Sequence, residues 1–404
     1  MSRQKHKMLQ VPRASTGRGF VAPRYSPRVR RFMIAVGGWY LRLVEGIRKV
    51  SLSDEGRLLD ELETFYRNDH RLIIAFRHAA KEDAPVLMYT LNSKLYKAIR
   101  TRNRKIPRDT RITGHAQFLY GSDVLEWAGT AASWLFPRVG CIPVQNRGNN
   151  RHGLNLLRTQ MHSGQFPVAL APEGQVTYHM YQCSTVAPGI ASLTSWASDD
   201  DQEVTILPIA IGYRHTDAPE AWIRSHLARW ERLTGINLTD RASAPILSLL
   251  LEATSRMVLL LEDHYQILHH AQDERPLRQR ILAICEAVLD RAEQIAHSRS
   301  SGTILDRLFR LRFLGLEAMR PTHYRPQSSS PTAQSFADMK ALEAYTYLRH
   351  TQVVDVLEYI DPAYINAPCS AGRACEYMLN LLDVINRLQG GTIDDRYSPA
   401  GKEA

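Results

Sequence analysis

A histidine and an aspartate five positions apart, His78 and Asp83, follow the apolar run of residues 72–76. This run is short enough to be a buried strand, and Asp83 falls where a helix can begin. The loop between them can fold the His78 imidazole back onto the carboxylate, which would fix the ring tautomer and stabilise the imidazolium as it forms. A neutral histidine held in this way can take a proton from a hydroxyl. The pair is a candidate general base with its orienting partner.

The same spacing occurs a second time, at His350 and Asp355, so the spacing alone carries little information. These two residues lie within a helical pattern, where five positions turn through about 500° and leave the side chains about 140° apart. We expect them to be surface or packing residues. For His78 and Asp83 taken alone, a capping aspartate beside a hydrogen-bonded histidine is the alternative interpretation.

A second polar turn follows the predicted strand at residues 141–144 and carries Arg147, with Arg151 four positions later. The carboxyl ends of strands are where open α/β sheets bind ligands. A planar guanidinium there can grip a phosphate through two parallel hydrogen bonds. Arg147 is therefore a candidate phosphate contact, and an ordinary surface arginine is the alternative.

A third turn, at residues 167–175, places Glu173 between Pro172 and Gly174. Pro172 lacks a backbone donor and Gly174 permits backbone conformations closed to other residues, so the turn can hold the Glu173 carboxylate at a specific angle. A solvated turn acid is the alternative. A fourth segment, residues 204–211, is an apolar strand interrupted by Pro208, and its plain interpretation is a core strand.

The order of these four segments resembles the glycerophospholipid acyltransferase family, which includes the lysophosphatidate acyltransferases. The resemblance implies that His78 is the general base, Asp83 its orienting partner, Arg147 a contact to the acceptor phosphate, and Glu173 with Gly174 part of the acceptor pocket. It also implies transfer of a fatty acyl group from acyl-CoA or acyl-carrier protein to a hydroxyl of a lysophospholipid or related lipid. No cofactor, metal or acyl-enzyme is expected.

The resemblance covers about residues 65–215 and departs from the family pattern in ways that bear on the acceptor. Compared with the family pattern, the turn between the strand and Arg147 contains one extra residue. Where the family usually has threonine, arginine and serine after proline-glutamate-glycine, this chain has glutamine, valine and threonine at 175–177, so a second phosphate-binding arginine is missing. Arg77, Arg151 or a residue elsewhere supplies that contact, or the acceptor is not a simple glycerol phosphate. A non-catalytic lipid-binding or scaffold protein on the same fold is a further alternative.

The elements that must position these residues alternate along the first half of the chain. Strands are predicted at residues 72–76, 141–144, 166–171 and 204–212, with helices at about 58–66, 84–95, 122–135, 153–161 and 187–196. This alternation over residues 51–240 indicates an α/β domain with a mostly parallel sheet flanked by helices, as the resemblance also implies.

From residue 241 onward the strand signals fade, and residues 241–404 are predicted to be an all-helical C-terminal region. Helical patterns cover residues 246–265, 277–295, 305–319, 336–359 and 371–388. The segment 321–334, which contains three consecutive serines followed by a proline, is predicted to be a linker.

The formal net charge of +10 comes from the N-terminus, because residues 1–50 hold twelve basic residues and one acidic residue, Glu45. The rest of the chain is close to neutral, with 39 basic and 40 acidic residues. Residues 1–50 are therefore predicted to be a basic flexible arm with a possible interfacial helix at 32–48, which favours anionic partners. No window of about 18 apolar residues supports a spanning helix.

We expect a peripheral protein on the cytoplasmic face of a membrane. A solvated tail and an organellar targeting segment are alternative interpretations of the arm. Nucleic-acid binding is not expected, because no aromatic platform or zinc finger accompanies the basic residues. The five cysteines are scattered and form no C-x-x-C pair, which is typical of free thiols in a reducing compartment.

Overall fold

The computed structural model describes residues 21–121, 124–127, 129–144, 151–182, 184, 186–198, 202–215, 219–240, 242–267, 275–319, 331–366, 368–389 and 402–403. Over these ranges the chain divides into two compact units. The α/β unit contains residues 21–223, 369–376 and 402–403, and the helical unit contains residues 224–368 and 377–389.

The strands belong to a large sheet and a small one. They are β1 Ile47–Lys49, β2 His70–Phe76, β3 Gln117–Gly121, β4 Ile142–Val144, β5 Val168–Leu170, β6 Glu203–Ile209, β7 Arg214–His215 and β8 Lys402–Glu403. The large sheet has five parallel strands in the order β4-β3-β5-β2-β6, and the small sheet has the order β1-β8-β7. The predicted α/β class with a parallel sheet flanked by helices is confirmed.

Nine helices and one π-helical turn are described between residues 27 and 234. They are α1 Pro27–Leu43, α2 Glu55–Tyr66, α3 Asp83–Tyr89, the π-helical turn Thr90–Lys94, α4 Tyr96–Arg102, α5 Val124–Trp127, α6 Gly129–Arg138, α7 Arg151–Ser163, α8 Gly189–Ala197 and α9 Pro219–Thr234. Helix α1 and strand β1 lie in the predicted basic arm, yet they belong to the α/β unit. Residues Leu41, Ile47 and Val50 are buried in one of its core clusters.

Strand β2 is central to both core layers of the α/β unit. Successive side chains of a strand point to opposite faces of its sheet. Leu72 and Ile74 accordingly join one buried cluster with Leu62 of α2, whereas Ile73 joins another with Leu157 of α7. Because β2 is held on both faces and paired on both edges, the residues that follow Phe76 begin from a fixed point.

Strand β3 was not predicted from the sequence, although it pairs with both β4 and β5. Its five residues begin with the polar Gln117 and end with Tyr120 and Gly121, so they lack the apolar run that marks β2. Strand β3 is paired on both edges, and these pairings are not visible in its own residues.

The helical unit confirms the helical C-terminal region, but the prediction that all of residues 241–404 are helical is wrong at β8, which pairs with β1 and β7. Its helices are α10 Ile246–His264, α11 Leu277–Ile295, α12 Ile304–Met319, α13 Pro331–Leu357 and α14 Ala371–Leu388, with a short 3-10 helix at Pro362–Ile365. The first turn of α14 is assigned to the α/β unit. The prediction of a linker is wrong at residues 331–334, because they form the first turn of α13. Proline is well tolerated at the first position of a helix. Residues 321–330 lie outside the described ranges. In the part of the chain that the structure describes, no helix is both long enough and apolar enough to cross a membrane.

Candidate active site

The residues of the candidate active site follow three neighbouring strands of the large sheet. Strand β2 is followed by His78, strand β5 by Glu173, and strand β6 by Tyr213. In the sheet β2 lies between β5 and β6, and all three run in parallel. Their carboxyl ends therefore meet at one edge, which is the edge where open α/β sheets bind ligands.

The structure brings His78 and Asp83 together as the sequence predicts. The Nδ1 atom of His78 lies 3.5 Å from Oδ2 of Asp83. Asp83 is fully buried, and the His78 side chain is 22% exposed. Because Nδ1 faces the carboxylate, Nε2 is the ring nitrogen left to meet a substrate. A separation of 3.5 Å is longer than a typical hydrogen bond, and the hydrogen bonds of catalytic sites are often long before a substrate binds.

Asp83 is held in place by two further donors. The backbone N–H of Ala80 donates to Oδ2 over 2.8 Å, and the hydroxyl of Tyr213 donates to Oδ1 over 2.6 Å. Burial, together with the neighbouring Asp83 charge, raises the pKa of Tyr213 well above its usual value, so the phenol remains a donor. Both carboxylate oxygens are thus oriented by groups other than His78.

The Glu173 carboxylate holds the backbone at His78. Its Oε2 atom accepts a hydrogen bond from the backbone N–H of His78 over 2.8 Å, and its Oε1 atom accepts one from Nε of Arg77 over 3.3 Å. Glu173 is buried, and Gly174 after it has a φ of +74°, a conformation that favours glycine. Glu173 therefore links the loop after β5 to Arg77 and His78, while its place in an acceptor pocket stays a prediction.

The guanidinium of Arg77 is engaged with the protein. Besides Glu173, it donates to the backbone carbonyl oxygens of His179, Met180 and Gln182 over 2.8, 2.9 and 2.5 Å. These contacts tie the 179–182 loop to the end of β2. In this arrangement the Arg77 donors point at protein oxygens, so the guanidinium is committed to positioning the loop.

Two further hydrogen bonds involve the segment that follows Glu173. The backbone N–H of Thr177 donates to the carbonyl oxygen of His78 over 2.8 Å, and the backbone N–H of Met180 donates to Oε1 of Glu376 over 3.1 Å. His78 is consequently fixed at both its backbone N–H and its backbone carbonyl, by Glu173 and Thr177 respectively. Its side chain is the part that can respond to a substrate.

Two predicted phosphate contacts cannot be placed. Arg147 lies outside the described residues, and Arg151 is the first residue of α7, where only the backbone is described. Their roles stay predictions. Tyr213 and Thr177 were missed by sequence reasoning, although Tyr213 follows a predicted strand whose carboxyl end was expected at the same edge.

A comparison of the chain with models of known protein families, with curated proteins and with solved structures found no match in any of the three.

Proposed function

We propose that this protein is a glycerolipid-type acyltransferase, which moves a fatty acyl group from acyl-CoA or acyl-carrier protein to the hydroxyl of a lysophospholipid or related lipid. The observation that carries the proposal is the histidine at the carboxyl edge of the sheet, with its ring facing a buried carboxylate and its backbone held from the neighbouring strand. The motif order described above supports the finer assignment of the α/β unit to an acyltransferase-like fold. We place the reaction at the cytoplasmic face of a membrane, as part of phospholipid biosynthesis.

The reaction follows from the geometry of the pair. Nε2 of His78 takes the proton of the acceptor hydroxyl while Asp83 stabilises the imidazolium at Nδ1. The acceptor oxygen attacks the thioester carbonyl and forms a tetrahedral oxyanion. The attack makes the new carbon–oxygen bond. When the oxyanion collapses, the carbonyl double bond re-forms, the carbon–sulfur bond breaks, and the imidazolium gives its proton to the leaving thiolate, which leaves the ester product. No covalent acyl-enzyme is required.

A second candidate is transfer to an acceptor without a phosphate. It is favoured by the engagement of Arg77 with Glu173 and three backbone carbonyls, together with the absence of an arginine at residues 175–177. An acceptor phosphate needs a charge-assisted donor. If Arg147 and Arg151 do not supply it, the site suits a neutral hydroxyl lipid.

The test is transfer of a labelled acyl chain by the purified full-length protein. The donors are acyl-CoA and acyl-carrier protein, and the acceptors are glycerol 3-phosphate, lysophosphatidate, other lysophospholipids and monoacylglycerol. We expect labelled product with at least one acceptor and none with His78→Ala. Equal turnover by His78→Ala would end the mechanism. Binding of acyl-CoA without transfer to any acceptor would favour a non-catalytic lipid-binding protein on the same fold.

A further inference from the structure

One face of helix α1 exposes large apolar side chains. Phe32 is 60% exposed, Trp39 is 68% exposed and Leu43 is 73% exposed. Together with the exposed Ala35 they fall at intervals of three and four residues, which places them on one side of a helix. We call Phe32, Ala35, Trp39 and Leu43 the α1 stripe.

The other side of α1 is packed against the α/β unit, so the orientation of the stripe is fixed. Met33 packs on one core cluster and Leu41 is buried in another. At Gly38 a Cβ atom would come within 3.3 Å of the Tyr89 hydroxyl, so the glycine permits a close approach to α3. The apolar residues of the α1 stripe therefore face away from the core, which is filled by the opposite side of the helix.

A cavity of about 440 Å³ continues the apolar surface beyond α1. Its lining includes Ala35, Trp39 and Arg42 of α1, together with Tyr89 and Tyr96. Tyr96, which opens α4, is itself 57% exposed. Asp83 and Tyr89 are the first and last residues of α3, so their Cα atoms lie about 9 Å apart along the helix axis. The surface thus begins one short helix away from the catalytic pair.

The charged side chains on α1, on α4 and on the π-helical turn are all basic. Arg28, Arg31 and Arg42 are exposed on α1, and Lys97 and Arg100 are exposed on α4. Neither helix contains an acidic residue, nor does the π-helical turn between α3 and α4.

Glu45, the acidic residue that follows α1, does not oppose this positive charge. It is buried, accepts a hydrogen bond from the Tyr40 hydroxyl and pairs with Lys81 over 3.7 Å. The surface consequently presents tryptophan, tyrosine and aliphatic side chains beside exposed basic side chains of α1 and α4.

We propose that the α1 stripe, with Tyr96 and the cavity between them, is the docking surface for a bilayer that contains anionic phospholipids. Tryptophan and tyrosine favour the headgroup region because their rings are apolar with one polar end. Exposed arginine and lysine are attracted to anionic lipid by roughly 1 kcal/mol each. This inference deepens the proposed function. It rests on that function in one respect, namely that the acceptor is a lipid of the same bilayer. Docking itself does not require transfer.

The test is flotation of the full-length protein with two kinds of vesicle. One is made of phosphatidylcholine alone, and the other of phosphatidylcholine with phosphatidylglycerol in equal parts. We expect stronger binding to the second, and a loss of about tenfold for Trp39→Ala on both. Arg42→Ala should lower binding about fivefold on the anionic vesicles and leave the neutral ones unchanged.

Phe336→Ala is the matched control, because Phe336 is 56% exposed on α13, outside the α/β unit, and should bind vesicles as the parent does. His78→Ala should also bind fully, which separates a failure of transfer from a failure of docking. Equal binding by Trp39→Ala and the parent would overturn the proposal. So would a smaller molecular mass of Trp39→Ala without vesicles, since the stripe would then be covered by a second copy of the chain.

Discussion

The α/β unit and the helical unit each contain a histidine followed five positions later by an aspartate, and only the first pair comes together. Nδ1 of His78 faces Asp83 at 3.5 Å, across a loop between a strand and a helix. His350 and Asp355 instead lie on the continuous helix α13, with different partners. His350 Nδ1 lies 3.2 Å from the Tyr265 hydroxyl, while Asp355 pairs with Arg312 at 2.5 Å and with Arg387 at 3.1 Å.

The difference teaches that the intervening backbone, rather than the spacing, decides what the pair can do. Burial would raise the pKa of Asp355, but the charges of Arg312 and Arg387 hold it below its usual value, so this carboxylate neutralises arginines. Burial, with a smaller contribution from His264, lowers the pKa of His350 and keeps that ring neutral. The arrangement of the first pair supports the proposed proton transfer, whereas Asp355 of the second pair forms ion pairs with Arg312 and Arg387.

The largest expected effect is on catalysis, from Asp83→Asn. An amide cannot stabilise the imidazolium as the carboxylate does, so we expect the transfer rate per folded molecule to fall by about 10²–10⁴. Asp355→Asn, in the second pair, should leave that rate within about twofold, because its partners lie outside the site. Initial rates with labelled acyl-CoA, corrected for the folded fraction, check both. Similar losses for the two variants would break the comparison.

Asp355→Ala should have the reverse signature, a loss of stability. Removing the carboxylate leaves Arg387, whose side chain is 2% exposed, without one of its two ion-pair partners. Breaking a buried pair in this way costs about 3–5 kcal/mol of unfolding free energy. Urea denaturation followed by circular dichroism measures it. A cost below about 1 kcal/mol would show that the Asp355 pairs add little to the helical unit.

Glu358 predicts a pH dependence for the helical unit. Burial, and then the charge of Asp355, raise its pKa from the ordinary 4.5 to about 7. The folded state therefore binds this proton more tightly than the unfolded state, and stability falls as the pH rises from about 4.5 to about 7. The loss amounts to about 3 kcal/mol at most.

Glu358→Gln should flatten this part of the stability profile, because the amide does not titrate. The unfolding free energy measured between pH 4.5 and pH 8 is the readout. If the profiles of the variant and the parent remain parallel, Glu358 does not titrate as its burial implies. The His78 pair should be unaffected, and the transfer rate at one pH is the control.

The smallest expected effect comes from Tyr213→Phe, which removes the hydroxyl bonded to Asp83. We expect a loss of about 1–2 kcal/mol in stability and about tenfold in transfer rate, since the buried Oδ1 loses its donor. Tyr120→Phe is the matched control, because the Tyr120 hydroxyl is buried and has no hydrogen-bond partner among the described residues. It should be neutral in both measurements. Equal losses would show that the effect reflects the loss of a hydroxyl rather than the orientation of Asp83.

The sequence was sufficient for the local half of the site. An apolar strand, a short loop and a helix start lie within fourteen residues, so strand and helix signals show that His78 can approach Asp83. The order of the four segments was needed to favour this over a capping aspartate. The role of Glu173 toward the His78 backbone could not, because it depends on which strand lies beside β2. That pairing joins residues 95 positions apart.

The same physical reason explains the other omissions. Tyr213 is 130 positions from Asp83 in the sequence. Strand β3 is defined by its pairing with β4 and β5, which its own residues do not indicate. The engagement of Arg77 depends on the path of the 179–182 loop, which follows no periodic pattern. The helices of the helical unit were better predicted, since the spacing of apolar residues along an amphipathic helix is visible within one continuous segment.

The most direct test of the central claim sets the two histidines against each other in one assay. His78→Ala and His350→Ala are prepared as full-length proteins, and the initial rate of acyl transfer is measured per folded molecule. The account predicts a loss of about 10²–10⁴ for His78→Ala and a rate within about twofold of the parent for His350→Ala. Retained transfer in His78→Ala, or an equal loss in both variants, would contradict it.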